Sequence, residues 1–301
     1  MRIFLTGGTG AIGRHAVPAL VAAGHQVSAL ARSQVKADEL RAHGAVPFDV
    51  SIFDSTQLSS AFVGHDAVVN LATALPPTSS AMRTSAWAPC ERLRTEGSAA
   101  VVEAALAANV PRLLQESVVM IYADGETAWI TEQAPVDHFP IARGNHAAEA
   151  SARRFADAGG SATVLRFGLF YGPGSVQSDE FLALARKHIG FMPGAADGYL
   201  SSIHLADAGA AVVAGLDVPG QIYNVVDDEP LTKAGYASAV ADAVGTRLWA
   251  RVPGRAGLLL GDRLTSLTRS VRASNRSFVE ATGWHPRYPS AREGYAAICG
   301  A

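Results

Sequence analysis

Cysteine is scarce: Cys90 and Cys299 are the only two in 301 residues. Two positions so far apart make neither a disulfide framework nor a thiolate metal cluster, and a reducing, cytoplasmic setting is the expectation that follows. The nine histidines fall into no HExxH or comparable ligand pattern, so no metal is expected. Charge of either sign is also thin. A net charge of −2 gives no electrostatic case for nucleic-acid binding. Long apolar runs are missing too, because Glu103 and Asn109 interrupt 99–110 and Leu258-Leu259-Leu260 is far too short for a bilayer. No membrane association is expected, and Met1-Arg2 runs directly into Ile3-Phe4-Leu5 without room for a leader. There is no convincing repeat or low-complexity tract. What remains is 49% hydrophobic, enough to bury one large core or a core with a smaller lobe.

The most informative stretch is Thr6-Gly7-Gly8-Thr9-Gly10-Ala11-Ile12-Gly13, which follows a short apolar strand and enters a helical pattern. Glycines without Cβ allow a tight turn and close backbone approach, while free N–H groups and the helix dipole favour negative charge. A dinucleotide diphosphate is the ligand that this arrangement suits. Gly7, Thr9, Gly10, Ala11, Ile12 and Gly13 are the expected contacts.

Strand and helix periods then alternate, the pattern of βαβ units. Helices are expected at 11–23, 34–43, 55–62, 92–108 and 142–158. The intervening strands fall at 27–30, 46–48, 66–71, 112–117 and 162–167. The regularity changes at Gly168-Leu169-Phe170-Tyr171-Gly172-Pro173-Gly174, a shaped loop above the sheet. Residues 222–226 read as a strand returning to the sheet, and 232–243, 247–252 and 274–281 as a small mixed lobe. The expected fold is α/β, a Rossmann-like doubly wound and mainly parallel sheet with a smaller C-terminal substrate lobe. Its dinucleotide-binding core spans 1–167 with 204–226 returning to it, and the lobe takes 168–203 and 227–301. Residues 254–268 fit either a lobe helix or a flap.

Cofactor choice is set at the end of the second strand, where an acidic residue holds a ribose diol and a basic one a 2′-phosphate. Here Ala31 offers no carboxylate, whereas Arg32 can fork onto phosphate, so NADP(H) is favoured and NAD(H) is allowed. Asp49 and Val50, after the third strand, suit the adenine edge, although Asp49 could equally cap the next helix.

With these pieces in place, the chain resembles the NAD-dependent epimerase/dehydratase family, extended or atypical short-chain dehydrogenase/reductases. The resemblance runs over nearly the whole sequence. It is carried by TGGTGAIG at 6–13, Asn70-Leu71-Ala72, Ser117 to Tyr122, Arg166 to Gly174, His204-Leu205-Ala206-Asp207, Tyr223-Asn224-Val225 and the segment from Gly283 to Gly294. It implies cofactor contacts at Leu71, Ala72, Thr73, Ser117 and Asn145. It also implies a catalytic tyrosine for proton transfer and a lysine four residues later. Registered on Ala147-Ala148-Glu149, those positions are Ile141 and Asn145. Isoleucine has no proton to give, and a neutral amide can hold a ribose hydroxyl without supplying charge. The family's serine or threonine position falls on Val118; Ser117 beside it, on a strand, points to the other face. Arg94 stands where the resemblance places an asparagine.

The remaining candidates for proton transfer or charge stabilisation are Tyr122, His138, His146 and Arg143, each with a packing or surface role as the alternative. Arg166 and Asp207 read as structural ties. Trp87, Phe170, Tyr171, Phe191 and Tyr199 can make a pocket apolar, with lobe filling as the alternative. The functional expectation is an NADP-binding oxidoreductase-like protein with non-standard proton transfer, acting on a small or medium metabolite. A C=C reduction or another non-carbonyl step suffers least from losing the tyrosine. Two alternatives stand beside it: a noncatalytic, cofactor-responsive regulatory or structural protein, and a cofactor-assisted epimerase, isomerase or lyase. A homodimer through the alanine-rich 92–108 and 142–158 helices is also expected, unless those alanines pack inward.

Overall fold

A computed structural model describes residues 1–76, 80, 83–190, 192–251 and 268–300. The expectations for Phe191 and the 254–267 segment lie outside the described residues.

Seven parallel strands form the central sheet: β1 (Arg2–Thr6), β2 (Gln26–Leu30), β3 (Val46–Phe48), β4 (Ala67–Asn70), β5 (Arg112–Val118), β6 (Ser161–Phe167) and β7 (Ile222–Val225). Their order across the sheet is β3-β2-β1-β4-β5-β6-β7. Continuous burial of Ala67-Val68-Val69-Asn70 is what a strand covered on both faces requires. Helices α1 (Gly13–Ala22) and α2 (Gln34–Ala42) cover one face, joined by α8 (Leu205–Ala214); Val17, Leu20, Leu40 and Val212 share one buried cluster with Leu5 and Val69. The opposite face is covered by α3 (Ser55–Phe62), α5 (Ser98–Ala107) and α6 (Arg143–Asp157), whose Phe62, Val101 and Phe155 pack with Phe4 and Val68. The architecture is therefore the Rossmann-like doubly wound α/β sheet.

Local capping accounts for several helix starts. Ser33 accepts from the Lys36 amide and Asp54 from the Gln57 amide, each satisfying an otherwise open N–H. At α1 the pattern differs: Ile12 provides no side-chain cap and the first turn holds no acidic residue. Its N-terminal dipole is consequently left for a ligand.

The helix expected at 92–108 begins earlier and is not regular. It comprises α4 (Ala88–Arg92), a π-helical turn at Leu93–Gly97 and then α5. A π turn changes which residues face inward without breaking the helix, and such turns recur at functional sites. Here it delivers Arg94 into the interior, where the residue is only 5% exposed. Apolar periodicity carries no signal for that insertion. Ala100, Ala104, Ala105, Ala148 and Ala152 are buried within the chain itself, so these small side chains serve close helix-to-sheet packing.

Helices α7 (Val176–Arg186), α9 (Lys233–Ala243) and α10 (Ala291–Cys299) build a second core around Tyr171, Leu182, Tyr236 and Tyr295. Residues 202–204 pair in parallel with 169–171 and carry the chain from this lobe back into α8. Asp207 in α8 accepts from the Arg287 and Tyr288 amides, tying the closing segment down. No described helix is long and apolar enough to cross a membrane.

Candidate functional site

The sheet order reverses between β1 and β4, and an open crevice at the carboxyl ends of the strands is the outcome of that reversal. A cleft of about 660 Å³ occupies this position. Its floor is the glycine turn. Gly7 has φ +75°, and a Cβ there would stand 2.6 Å from the Leu71 carbonyl oxygen. A Cβ on Gly13 would come within 2.2 Å of the Gly7 carbonyl oxygen and 2.6 Å of Gly8 Cα, so this glycine brings helix against loop. Below the turn, Thr6 donates to Asn70 Oδ1 at 2.6 Å and Asn70 donates to Gln115 at 2.8 Å and Ser98 at 3.1 Å. This buried chain fixes the ends of β1, β4 and β5 relative to one another. The turn, the uncapped α1 terminus and the space above them suit a dinucleotide diphosphate.

Of the residues singled out from sequence, Gly7, Thr9, Gly10, Ala11, Ile12, Arg32, Asp49, Val50, Leu71, Ala72 and Thr73 all line the cleft. Ile141 and Asn145 line it too, one helical turn apart, with Val118 opposite on β5. Gly13 does not; it packs behind the turn. Trp87 and Phe170 contribute apolar wall, whereas Tyr171 is fully buried in the lobe core.

Several candidates are placed elsewhere. Ser117 sits on the other side of its strand and donates to Glu149 Oε1 at 2.7 Å, because successive strand residues alternate in direction. It is therefore a structural partner rather than a cleft residue. Glu149 also takes a fork from Arg166, at 2.8 and 2.7 Å. Tyr122 is fully buried against Arg166 and donates to Asn224 Oδ1 at 2.8 Å, and burial pushes its phenol upward. A phenol so engaged does not reach the cleft. His138 is exposed and stacks on His146 with ring centroids 4.2 Å apart. Arg143 is also exposed, 3.4 Å from Glu91. Tyr122, His138, His146 and Arg143 thus do not line the cleft.

Sequence reasoning missed Lys36 and Glu116, both of which line the cleft. Lys36 follows Arg32 by four residues across a helix start, a spacing that could have marked the two cations as one cluster. Glu116 was legible as a carboxylate in an otherwise buried strand. Its oxygens accept from Arg94 Nη2 at 2.8 and 3.0 Å, while Arg94 Nη1 donates to Asn145 Oδ1 at 2.6 Å. Gly144 makes this approach feasible, since a Cβ there would stand 3.1 Å from Arg94 Cβ. Burial works most strongly against the Arg94 charge, but Glu116 and, after it, Cys90 together hold the guanidinium above its ordinary range. The deep polar element of the cleft is therefore an ion pair plus an amide. Among the described lining residues there is no tyrosine, histidine or cysteine.

Comparison with known proteins agrees with this architecture. The sequence profile of the NAD dependent epimerase/dehydratase family matches residues 3–224. A 3-diazoavenalumate denitrifying reductase from a Streptomyces species is 34% identical, with 98% of this chain and 99% of that protein covered. A 4-hydroxy-2-methyl-3-oxo-4-farnesyl-3,4-dihydroquinoline-1-oxide ketoreductase of Stigmatella aurantiaca is 28% identical over 82% of this chain and 74% of its own length. Among solved structures, a human epimerase family protein with NADPH superposes with a TM-score of 0.83 at 22% identity, covering 100% of this chain and 99% of the other. The UDP-glucose 4-epimerase of Thermus thermophilus with NAD gives 0.80 at 23% identity, with 100% and 98% covered. The profile spans more than half the chain and the Streptomyces relative nearly all of it. The chain accordingly belongs to the NAD dependent epimerase/dehydratase family.

Proposed function

We propose that this protein is an NADP(H)-dependent reductase whose substrate accepts hydride without a proton from a protein side chain, and that aromatic diazonium compounds are the substrate class best supported. One observation carries the reading. Ile141, Val118 and Asn145 line the cleft, and no tyrosine or histidine lines it among the described residues.

The residues present fit a dinucleotide. The glycine turn and the uncapped α1 terminus would hold its diphosphate, and Asp49 with Val50 its adenine. Arg32 and Lys36, both on the cleft, would hold a 2′-phosphate, which favours NADP(H) over NAD(H). When bound, the nicotinamide would supply hydride to the substrate.

Ketone reduction leaves an alkoxide that must be protonated, and Ile141 and Asn145 cannot serve as the acid. A diazonium group imposes no such demand. It accepts hydride, the carbon–nitrogen bond breaks and dinitrogen leaves, so charge and atoms balance without an added proton. The Streptomyces relative is named for a denitrifying reduction of a diazo acid, which supports this class. Trp87, Met120, Phe139 and Phe170 give the cleft an apolar, aromatic wall for a flat, weakly hydrated substrate. The lining cations Arg32 and Lys36 lie by the second strand, and Arg94 is held by Glu116. None of them is left for a nucleotide-sugar diphosphate at the substrate end.

The test is NADPH oxidation and dinitrogen release with a panel of arenediazonium salts, measured above the rate without protein. Matched, enzyme-dependent rates are expected. NADPH binding without turnover on any member would remove the diazo reading.

A further inference from the structure

The cleft contains a donor, Asn145, held by a buried ion pair that the family resemblance does not account for. Asn145 is 3% exposed and lines the cavity, yet its Nδ2 has no hydrogen-bond partner. The orientation of that amide is fixed by chemistry. Arg94 has only donors, so the group facing its Nη1 at 2.6 Å must be the Asn145 carbonyl oxygen. The NH2 end is thereby turned away from Arg94 and left buried without an acceptor. Arg94 cannot swing aside, because Glu116 holds its Nη2 through both carboxylate oxygens and Gly144 lets helix α6 close over its Cβ.

Resting on the reductase reading, we infer that the Arg94–Glu116 pair acts as a positioning device that locks Asn145 as a donor to a neutral oxygen acceptor of the bound ligands. Neutrality follows from the charges: the guanidinium and the carboxylate cancel, so the cluster presents an oriented N–H without net charge. With Glu116 paired beside it, the cluster adds no net positive charge that would select an anion, and a hydroxyl, ether or carbonyl oxygen satisfies the orphaned donor. That oxygen belongs either to the sugar next to the nicotinamide or to the substrate. The two sources are separable because adenosine 2′,5′-bisphosphate carries the phosphate-bearing half of the cofactor without that sugar.

The experiment compares wild type with Asn145→Asp, which retains an acceptor for Arg94 but removes the Nδ2 donor, and with Asn145→Ser as a small neutral second variant. Isothermal titration gives Kd for NADPH and for adenosine 2′,5′-bisphosphate; an arenediazonium salt gives KM and kcat. If the oxygen is the cofactor's, both variants weaken NADPH roughly tenfold and leave the bisphosphate unchanged. If it is the substrate's, KM for the diazonium salt rises by a similar factor at unchanged NADPH Kd. Arg94→Lys keeps the charge but loses the fork, and it shifts the same constant as Asn145→Asp. Variants that match wild type in both NADPH Kd and KM overturn the inference while leaving the reductase reading intact. Wild type that fails to bind NADPH overturns both.

Discussion

Replacing Arg94 by methionine tests how the cleft is held together. The ion pair is buried on both sides, with side chains 6% and 2% exposed. Arg94→Met would strip Glu116 of both its short contacts and leave the Asn145 carbonyl without its donor. Breaking one side of a buried pair costs about 3–5 kcal/mol, because the remaining charge stays desolvated. For a chain of this length, about 2 °C of melting temperature is lost per kcal/mol, which gives a fall of roughly 6–10 °C. The double variant Arg94→Met, Glu116→Leu removes the stranded charge together with its partner, and most of the loss is expected to return. Urea unfolding of wild type, both single variants and the double variant closes the cycle. An exposed pair such as Arg276–Glu280, with side chains 83% and 63% exposed, serves as control and should show no measurable coupling. If Arg94→Met costs under about 1 kcal/mol, or if the double variant is no more stable than the single, the pair is not the structural element described.

Other predictions address the cofactor floor, the displaced tyrosine and acid stability. Gly13→Ala places a methyl 2.2 Å from the Gly7 carbonyl oxygen, so NADPH affinity measured by titration should collapse; wild-type affinity would show that the loop can yield. Arg32→Ala combined with Lys36→Ala should weaken NADPH much more than NADH, and equal losses would contradict a 2′-phosphate site. Tyr122→Phe should cost roughly 1 kcal/mol of stability through its lost bond to Asn224 without changing kcat or its pH profile, and a lost catalytic pKa would return Tyr122 to the mechanism. Burial lowers His204 from 6.5 to about 4, so the unfolded chain binds the extra proton first; stability should fall as pH drops from about 6.5 to about 4. His204→Asn keeps an acceptor for the Ala206 amide and should flatten that part of the curve in pH-dependent melts.

The sheet and its flanking helices were legible because most strands are short apolar runs and the helices between them place apolar residues against the sheet. Residues 46–48 and 55–62 fall where the sequence placed them. The glycine turn was equally readable, since Gly7 and Gly13 answer to local sterics. The inner site was harder. Ile141 and Asn145 could be placed by counting from Ala147-Ala148-Glu149, but the partner of Asn145 comes from a π turn, and the carboxylate that holds that partner comes from a strand distant in sequence. A hydrophobic period does not register an inserted helical residue, so Arg94 appeared only as a departure, and Glu116, though a carboxylate in a buried strand, was passed over. Tyr122, His138 and Arg143 were proposed from chemical type and proximity in sequence. In the structure none of the three lines the cleft.

Paired isotope effects in a single turnover test the central claim most directly. The protein loaded with NADPH deuterated at both C4 positions is mixed with an arenediazonium salt, and the experiment is repeated with unlabelled NADPH in D2O. Hydride delivery without a protein acid predicts that the deuterated cofactor slows NADPH oxidation while D2O leaves the rate unchanged, with one dinitrogen released per NADPH consumed. A rate sensitive to D2O but not to the cofactor label would contradict the account, because a proton in flight would then govern the step.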